Sequence, residues 1–385
     1  MGAVWHYGIT DSRKNTKGSG TGRGAFMIED FYRLEPYELE KEKKQQLLMK
    51  ELMELTEFHR KNCMEYSKLL NALGYRKDAV KKIEDIPFYP VRMFKEYELL
   101  SVSRKEIFKT MTSSGTTGQA VSKIFVDKDT AMIQQKVMIK ILSDYWGKKR
   151  LPMLIIDSPS VVKDRKTFSA RGAAIIGLNI VSRDTVYVLN EDMSLNLDKL
   201  KAFLEKYKGQ RFIMFGFTFI VWQHFYQELF HSKEKFDLSE GFLMTGGGWK
   251  RLESESVDRM EFKKCFQELC GITHFLDHYA MVEQTGCIYA ECEYGHLHAS
   301  IYSDVIIRNY KDFSACEIGK KGIIQVVSVL PHSYPGHSLL TEDEGVILGE
   351  DDCPCGRKGK YIKVIGRMKS AELRGCSDTY ADKFR

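Results

Sequence analysis

The chain has 385 residues, 43% of them apolar and 29% charged, and its formal net charge is +6. This length suffices for a large core, arranged as one large domain or two, and the composition is that of an ordinary globular protein. Because the net charge is mild and no stretch is dense in Lys and Arg, the sequence argues against binding to nucleic acid or to an anionic membrane surface.

The N-terminal part of the chain predicts a leader followed by helix. Residues 1–26 are polar, rich in Gly, Ser and Arg and without periodicity, which predicts a disordered leader ahead of a start at Met27. Across residues 37–73, leucines recur at spacings of four and three, a helical pattern, and Gly74 stands where a helix cap would. The two prolines in residues 86–91 predict an extended segment.

Seven consecutive residues that are all hydroxylic or glycine come next. They are Thr112, Ser113, Ser114, Gly115, Thr116, Thr117 and Gly118. Glycines let the backbone turn tightly and expose its N–H groups, and hydroxyls add donors, so such a loop suits a phosphate group. It is not a Walker A loop, because no Gly-Lys-Ser/Thr follows at the required spacing. A mobile linker is the alternative, and the strand-like residues 124–126 just downstream argue against it.

Beyond this loop, short apolar runs alternate with amphipathic ones. The predicted strands are residues 123–126, 153–157, 185–189, 212–215, 242–245 and 273–276, and the predicted helices are residues 197–207, 219–230 and 256–269. This alternation predicts an α/β domain with a largely parallel sheet. Two further strands, residues 301–307 and 323–329, have no long helix between them and predict a more antiparallel C-terminal third.

Membrane and redox signals agree with a cytoplasmic protein. The longest near-continuous apolar run, residues 212–222, is too short for a membrane-spanning helix, and the N-terminus has no hydrophobic segment like that of a signal peptide. The nine cysteines are odd in number and scattered, which favours a reducing compartment over a disulfide framework.

Five short motifs stand in the order typical of adenylate-forming enzymes, the superfamily of the acyl-CoA synthetases. Residues 113–118 resemble the phosphate loop of that superfamily. The other four motifs are a glycine turn beside the adenine (Gly246, Gly247, Gly248), an aromatic-x-x-x-Glu motif (Tyr279, Glu283), a Thr-x-Asp segment (Thr341, Asp343) and a Gly-Arg hinge (Gly366, Arg367). Five motifs in register are far more specific than any one of them.

Within the superfamily, the chain most resembles the acyl-protein synthetases of bacterial bioluminescence operons, from Met27 to its end. The most telling segments are FGFTF (215–219), GGGWK (246–250), PGHS (335–338) and RGCSD (374–378). Phenylacetate-CoA ligases are more distantly similar, through CPCGR (353–357). The resemblance implies the large N-terminal α/β domain of an adenylate-forming enzyme, with mixed sheets flanked by helices, over residues 27–365. A short segment, residues 366–385, takes the place of the usual C-terminal lid.

The resemblance also implies ATP and Mg²⁺ as cofactors. Residues 113–118 would hold the phosphates, Tyr279 would stack on adenine beside the glycine turn, and Asp343 would accept the ribose hydroxyls. Glu283 would bind Mg²⁺, which takes oxygen ligands, and Arg367 would lie near the ribose and phosphate. Two departures stand out: Lys123 follows the loop later than the usual lysine does, and the chain ends before the lid that carries a catalytic lysine in relatives.

Cys376 lies within the RGCSD segment and is the predicted acyl acceptor. A thiolate is a strong nucleophile, able to take an acyl group from an adenylate as a thioester. Acyl-protein synthetases carry their acylated cysteine in a C-terminal segment of this kind, and they deliver the acyl group to a reductase that makes an aldehyde. The resemblance therefore implies that the chain activates a carboxylic acid of the fatty-acid class and transfers the acyl group to Cys376. It would then deliver the acyl group to an acyl reductase partner.

Two further residue sets are candidates for a site. Cys353 and Cys355 could supply half of a tetrahedral structural zinc site, completed by Cys292 and His298, with His296 and Cys287 in reserve. Ordinary reduced cysteines in a loop are an equally open interpretation. In the apolar run of residues 212–222, Phe217, Phe219 and Trp222 are candidates to line an acyl tunnel, and a buried strand leading into a helix accounts for the run equally well.

Two other functions remain open. An acid–CoA ligase of the phenylacetate type would release free acyl-CoA. A zinc-stabilised binding or scaffold protein would keep the fold without catalysis.

Overall fold

The computed structural model describes residues 33–113, 121–162, 170–247 and 257–368. The phosphate-loop residues Ser114 to Gly118, Gly248 and Cys376 lie outside these ranges, as does the leader, residues 1–26. The division of the chain at residue 365 therefore stays a prediction.

The predicted helical stretch of residues 37–73 forms two helices, α1 (Lys41–Asn62) and α2 (Met64–Ala72). The chain is extended at Cys63, with φ −123° and ψ 109°, and this residue separates them. Gly74 follows α2 with φ +64°, the left-handed conformation that glycine adopts most readily, as its capping position predicts. A short strand, β1 (Tyr89–Pro90), and a one-turn helix, α3 (Met93–Glu96), follow.

The Ser/Gly/Thr loop joins two strands of a small antiparallel sheet. These strands are β2 (Ile107–Thr112) and β3 (Lys123–Asp127). Helix α4 (Lys128–Trp146) starts directly after β3, where Asp127 caps it by accepting a 2.8 Å hydrogen bond from the backbone N–H of Thr130.

Within the described residues the main sheet has twelve strands, and its first half is parallel, as predicted. The strands β4 (Leu151–Ile155), β5 (Ser182–Tyr187), β6 (Phe212–Phe217), β7 (Gly241–Gly246) and β8 (His274–Tyr279) lie in the order β5-β4-β6-β7-β8. Both faces of this half are covered, so its central strands are continuous apolar runs.

The helices that cover this parallel half complete the α/β layers. They are α5 (Ala170–Leu178), α6 (Leu197–Lys206), α7 (Thr218–Ile220), α8 (Gln227–Ser232) and α9 (Arg259–Cys270). The predicted helix over residues 219–230 is interrupted, because Val221–Tyr226 forms a π-helical turn between α7 and α8. None of the described helices is both long and apolar enough to cross a membrane.

Alternate side chains of the parallel strands point into two separate cores. Met153 and Ile155 of β4 join α1, α4 and α5 in one core, whereas Leu154 and the adjacent Ile156 join α6, α8 and α9 in the other. The sheet is thus the middle layer of three.

The C-terminal third of the chain is antiparallel, as predicted. It contains β9 (Tyr289–Glu291), β10 (Leu297–His298), β11 (Ser303–Arg308), β12 (Lys321–Ser328), β13 (Ser338–Glu350) and β14 (Lys360–Arg367). These strands continue the sheet from β8 in the order β9-β10-β14-β13-β12-β11, and β1 pairs in parallel with β13. The boundary between the two halves, at β8 and β9, is where the candidate site lies.

Candidate functional site

The carboxyl ends of β6 and β7 form one wall of the site. Phe217 and Gly246 pair across these strands, and the hydroxyl of Thr218 donates a 2.8 Å hydrogen bond to the carbonyl oxygen of Gly247. Gly247 has φ +73°, and a Cβ atom there would lie 3.0 Å from the Phe217 ring. A Cβ on Gly246 would lie 2.5 Å from the imidazole of His278. Glycine is therefore required at both positions by the packing of Phe217 and His278, and at Gly247 also by its left-handed backbone.

Tyr279 and Asp343, predicted for adenine and ribose, are in direct contact. The Tyr279 hydroxyl donates a 2.7 Å hydrogen bond to Oδ2 of Asp343. Burial raises the pKa of Asp343, and the bond from Tyr279 and the charge of Arg367 lower it. Asp343 and Arg367 pair across β13 and β14, and the Arg367 guanidinium binds the carboxylate of Glu342. The structure thus brings together three of the predicted residues.

Thr341 holds the Asp343 segment in place. Its hydroxyl oxygen accepts a 3.1 Å hydrogen bond from the backbone N–H of Asp343 and donates one of 2.8 Å to the carbonyl of Ile324. This pair of bonds gives the Thr of the Thr-x-Asp motif a structural role: it fixes the backbone from which the carboxylate projects.

Glu283, the predicted magnesium ligand, is 6% exposed, on a short 3-10 helix, Val282–Gln284. Burial raises the pKa of its carboxyl group. The buried Ser122 hydroxyl lies beside it and lowers that pKa, although it makes no hydrogen bond of normal geometry with any of the described residues. The next residue, Gln284, donates a 2.9 Å hydrogen bond to the carbonyl of Gly336, and a Cβ on Gly336 would lie 2.8 Å from the Glu283 carbonyl oxygen. The PGHS segment therefore supports Glu283.

Ser113 closes the base of the phosphate loop. Its backbone N–H donates a 3.2 Å hydrogen bond to the carbonyl of Ser122, and its side-chain oxygen accepts one of 2.9 Å from the Ser122 N–H. These two bonds hold both ends of the loop beside Glu283. Lys123, the next residue, is exposed.

The four predicted zinc ligands meet at a separate place, between β9, β10 and β14. One ligand atom each from Cys292, His298, Cys353 and Cys355 lies within 4.8 Å of the other three. The sulfurs of Cys292 and Cys353 are 3.9 Å apart, and the Cys355 sulfur is 3.4 Å from Nε2 of His298. With Zn–S bonds of about 2.3 Å and Zn–N bonds of about 2.0–2.1 Å, tetrahedral angles place two sulfur ligands about 3.8 Å apart and a sulfur and a nitrogen ligand about 3.5 Å apart. The cluster fits zinc.

The protonation state of His298 agrees with that fit. Burial lowers the pKa of His298 to about 3, so its imidazole is neutral, which is the form that binds metal. Burial raises the pKa of Cys353 to about 12, which favours the neutral thiol. The positive charge of a bound divalent cation would stabilise the thiolate that binds metal.

The two reserve residues behave differently. Nδ1 of His296 lies 3.2 Å from the Cys353 sulfur, and the His296 ring stacks on Tyr361 at 4.6 Å. His296 is thus a neighbour of a ligand. Cys287 is not part of the cluster: its sulfur lies 3.0 Å from the Ser328 hydroxyl.

The family described as acyl-protein synthetase, LuxE, matches residues 25–385. The chain belongs to this family.

Two relatives align with this LuxE-family chain along most of its length and of their own. Both are named long-chain-fatty-acid–luciferin-component ligase. The one from Vibrio harveyi is 21% identical over 342 residues, 85% of each chain, and the one from Aliivibrio fischeri is 21% identical over 319 residues, 79% of this chain and 80% of that one. Membership of this family identifies the chain as an enzyme of the ligase class, as predicted.

Solved structures agree on the fold. A 2-hydroxyisobutyryl-CoA ligase, in complex with 2-HIB-AMP and CoA in an open conformation, aligns with a TM-score of 0.68 at 14% identity, over 87% of this chain and 77% of that one. The same ligase with 2-HIB-AMP in the postadenylation state aligns at 0.67. The LuxE-family chain therefore has the adenylate-forming fold that the sequence predicted.

The predicted acyl-binding residues all pack on the core formed by α6, α8 and α9. Phe217 lies beside Gly247 at the site, and Phe219 packs at the edge of the core formed by α6, α8 and α9. Trp222 is 8% exposed and stacks on Tyr226, with ring centroids 4.4 Å apart. An acyl-binding role for all three stays a prediction.

Three residues at the site had no motif to mark them. Ser122 lies beside Glu283, and His278 adjoins the glycine turn, where its Nδ1 donates a 3.0 Å hydrogen bond to the carbonyl of Thr245. Lys95 is exposed on α3, and its charge lowers the pKa of Glu283. His278 directly precedes Tyr279, and that adjacency could have identified it.

Proposed function

We propose that the chain uses ATP to activate a carboxylic acid, with a long-chain fatty acid as substrate, and then holds the acyl group on Cys376 as a thioester. The observation that carries this proposal is the contact of Tyr279 with Asp343 near the buried Glu283, with His278, the residue before Tyr279, lying against Gly246. Together these residues offer an aromatic face, a carboxylate for ribose hydroxyls and a carboxylate for a metal. The names of the two relatives support the long-chain fatty acid.

In the first half-reaction, a carboxylate oxygen of the acid attacks the α-phosphorus of ATP. An O–P bond forms while the bond to the bridging oxygen of pyrophosphate breaks, so acyl-AMP and pyrophosphate are the products. Donors that face the phosphates in a dry site stabilise the charge that develops in this step. In this chain those donors are the N–H groups and hydroxyls of residues 113–118, with Arg367 near the ribose and phosphate.

The nucleoside would lie between β7, β8 and β13. Tyr279 stacks on adenine at the turn formed by Gly246, Gly247 and Gly248. Asp343 accepts the ribose hydroxyls through Oδ1, since Oδ2 binds the Tyr279 hydroxyl.

Glu283 would hold Mg²⁺. A buried carboxylate fits a hard cation that takes oxygen ligands, and the buried hydroxyl of Ser122 beside it has no hydrogen-bond partner among the described residues. When bound, the ion neutralises charge on the phosphates.

In the second half-reaction, the thiolate of Cys376 attacks the carbonyl carbon of acyl-AMP. A C–S bond forms, the C–O bond to phosphate breaks and AMP leaves. The thioester would then pass to an acyl reductase, the partner protein, which makes the aldehyde. A short tail can carry the acyl group between two sites at high effective concentration.

We also propose a structural zinc ion on Cys292, His298, Cys353 and Cys355. Four protein ligands leave no position for a substrate, so this ion would stabilise the fold and take no part in the reaction.

The eight cysteines of the described residues are all unpaired, which supports a cytoplasmic location.

Intact-protein mass spectrometry tests the proposed function. The chain is incubated with ATP, Mg²⁺ and a panel of fatty and aryl acids, without CoA. Wild type is compared with Cys376→Ser and with Cys265→Ser, which removes a partly exposed thiol on α9. We expect an acyl-sized mass gain in wild type and in Cys265→Ser, released by hydroxylamine and missing in Cys376→Ser.

Two results would contradict the proposal. Acyl-CoA formed only after CoA is added, without any mass gain on the protein, would favour an acid–CoA ligase. No product with any acid, with or without CoA, would favour the non-catalytic scaffold.

A further inference from the structure

The turn that carries Glu283 is fastened to the antiparallel half of the sheet by the next residue, Gln284. Gln284 is 1% exposed, and its Nε2 donates hydrogen bonds of 3.2 Å to the carbonyl of Val326 and 2.9 Å to the carbonyl of Gly336. Because carbonyl oxygens only accept, the amide nitrogen must face both of them, which fixes the orientation of the amide. One side chain thus ties the turn to β12 and to the PGHS segment.

Strand β12 also holds the other carboxylate of the site. Thr341, which fixes the backbone of Asp343, donates its hydroxyl hydrogen bond to the carbonyl of Ile324. The acceptor of Gln284 on this strand lies two residues further along the chain. A single strand therefore anchors both proposed ligands, the carboxylate for ribose and the carboxylate for Mg²⁺, and Gln284 is the link to Glu283.

The amide oxygen of Gln284 carries a cost that stability alone does not explain. Oε1 is buried and has no hydrogen-bond partner among the described residues, a loss that an apolar side chain of similar volume would avoid. Gly336 confines the same turn from the other side, since a Cβ atom there would lie 2.8 Å from the Glu283 carbonyl oxygen. A buried amide at this position is accounted for by the need to hold a ligand-bearing turn in one place.

We propose that Gln284 is a positioning residue that sets the affinity of the site for Mg²⁺. This inference rests on the proposed function, because it concerns the carboxylate proposed to hold that ion. Without the two hydrogen bonds, the turn is no longer fixed and the Glu283 carboxylate is less well placed, whereas Tyr279 and Asp343 keep their own contacts. Loss of a residue that orients a metal ligand lowers metal affinity by about 10–100-fold.

Two measurements on the full chain test this role. In calorimetric titration, ATP is added in excess Mg²⁺ and, separately, in EDTA, and the ratio of the two affinities gives the contribution of the metal. The second measurement is exchange of labelled pyrophosphate into ATP, in the presence of acid, over a range of Mg²⁺ concentrations. Thermal unfolding of each variant shows whether it is folded.

The variants separate the loss of position from the loss of stability. Gln284→Met nearly keeps the volume and removes both donors, and Gln284→Asn keeps the amide on a shorter side chain. The control, Gln325→Met, removes another buried amide, from β12, which binds Ser338 and Arg308 instead of the Glu283 turn.

For Gln284→Met we expect the affinity ratio to fall about 10–100-fold, with the affinity for ATP in EDTA unchanged. Exchange should need about 10–100-fold more Mg²⁺ to reach half of its maximum, and saturating Mg²⁺ should restore most of the wild-type rate. Gln284→Asn should lie between Gln284→Met and wild type. Gln325→Met should unfold at a lower temperature than wild type and keep the wild-type dependence on Mg²⁺.

A wild-type dependence on Mg²⁺ in Gln284→Met would overturn the inference. So would equal losses of affinity in Mg²⁺ and in EDTA, which indicate a purely structural role. If Gln284→Met does not fold, the same comparison is decided on Gln284→Asn. If wild type catalyses no exchange with any acid, the proposed function fails, and the calorimetric ratio still decides the role of Gln284.

Discussion

The hydroxyl of Tyr279 donates a 2.7 Å hydrogen bond to Oδ2 of Asp343. The two residues lie on β8 and β13, and β9, β10 and β14 stand between these strands in the sheet. The bond therefore links the parallel half of the sheet to the antiparallel half. Because burial raises the pKa of Asp343 and this bond lowers it, the contact also keeps the carboxylate closer to its ionised form.

Tyr279→Phe should weaken ATP use and shift its pH dependence. The ring proposed to stack on adenine remains, but the charged carboxylate of Asp343 loses a hydrogen bond worth about 1.5–3 kcal/mol, so exchange of pyrophosphate should fall by roughly 10- to 150-fold. The pKa of Asp343 should rise, so activity that needs the ionised carboxylate should be lost at a higher pH on the acid side. The measurement is the exchange rate as a function of pH.

Tyr207→Phe is the matched control for this substitution. It removes a comparable hydrogen bond of 2.8 Å, from Tyr207 to Asp184, away from the site. On the acid side, the pH dependence of its exchange rate should coincide with that of wild type. An unshifted acid limb in Tyr279→Phe would show that Asp343 does not need this donor.

The parallel strands and the metal cluster were predictable for physical reasons. Strands buried on both faces are continuous apolar runs, so β6 was predicted as residues 212–215 and is found at Phe212–Phe217. The Cys/His set was predictable because few side chains bind zinc, and the four that were grouped by chemistry meet in the structure.

Other features depend on packing that no local pattern encodes. The π-helical turn Val221–Tyr226 has the same apolar spacing as an α-helix at the level of sequence. The placement of α3 beside the strand that carries Asp343 follows from the pairing of β1 with β13, two strands distant in the chain. Long-range pairing of this kind decides which polar residues share a site.

Cys355→Ser should reduce zinc binding and stability together. Loss of a hydrogen-bond partner of a metal ligand costs about 10–100-fold in affinity, and loss of a ligand costs more. Wild type should contain one zinc ion per chain by elemental analysis, and Cys355→Ser should contain less and unfold at a lower temperature. Cys316→Ser, which removes a partly exposed thiol outside the cluster, should keep its zinc. Wild-type protein purified in the presence of zinc and yet free of it would exclude the metal site.

Asp304→Asn should destabilise the fold strongly. Asp304 is buried between two lysines: Nζ of Lys360 donates a 2.8 Å hydrogen bond to Oδ2, and Nζ of Lys44 lies 3.9 Å from Oδ1. Neutralising it removes the carboxylate that both buried lysines contact directly, a change that costs about 3–5 kcal/mol in free energy of unfolding. Urea denaturation measures this, with exposed Asp198→Asn as control. A decrease in the free energy of unfolding below about 1 kcal/mol would mean that other groups in the interior stabilise the two charged lysines.

His337→Gln should make stability less sensitive to acid. His337 is buried and stacks on His59 at 5.1 Å, and burial lowers its pKa to about 3 from the usual 6.5. Between these values the unfolded chain binds a proton that the folded chain does not, so the free energy of unfolding falls by up to about 1.4 kcal/mol per pH unit as pH decreases. The variant should lose this part of the slope between about pH 6.5 and 4.5 in urea denaturation, and exposed His231→Gln should keep it. Equal slopes for both variants would mean that His337 is protonated in the folded state.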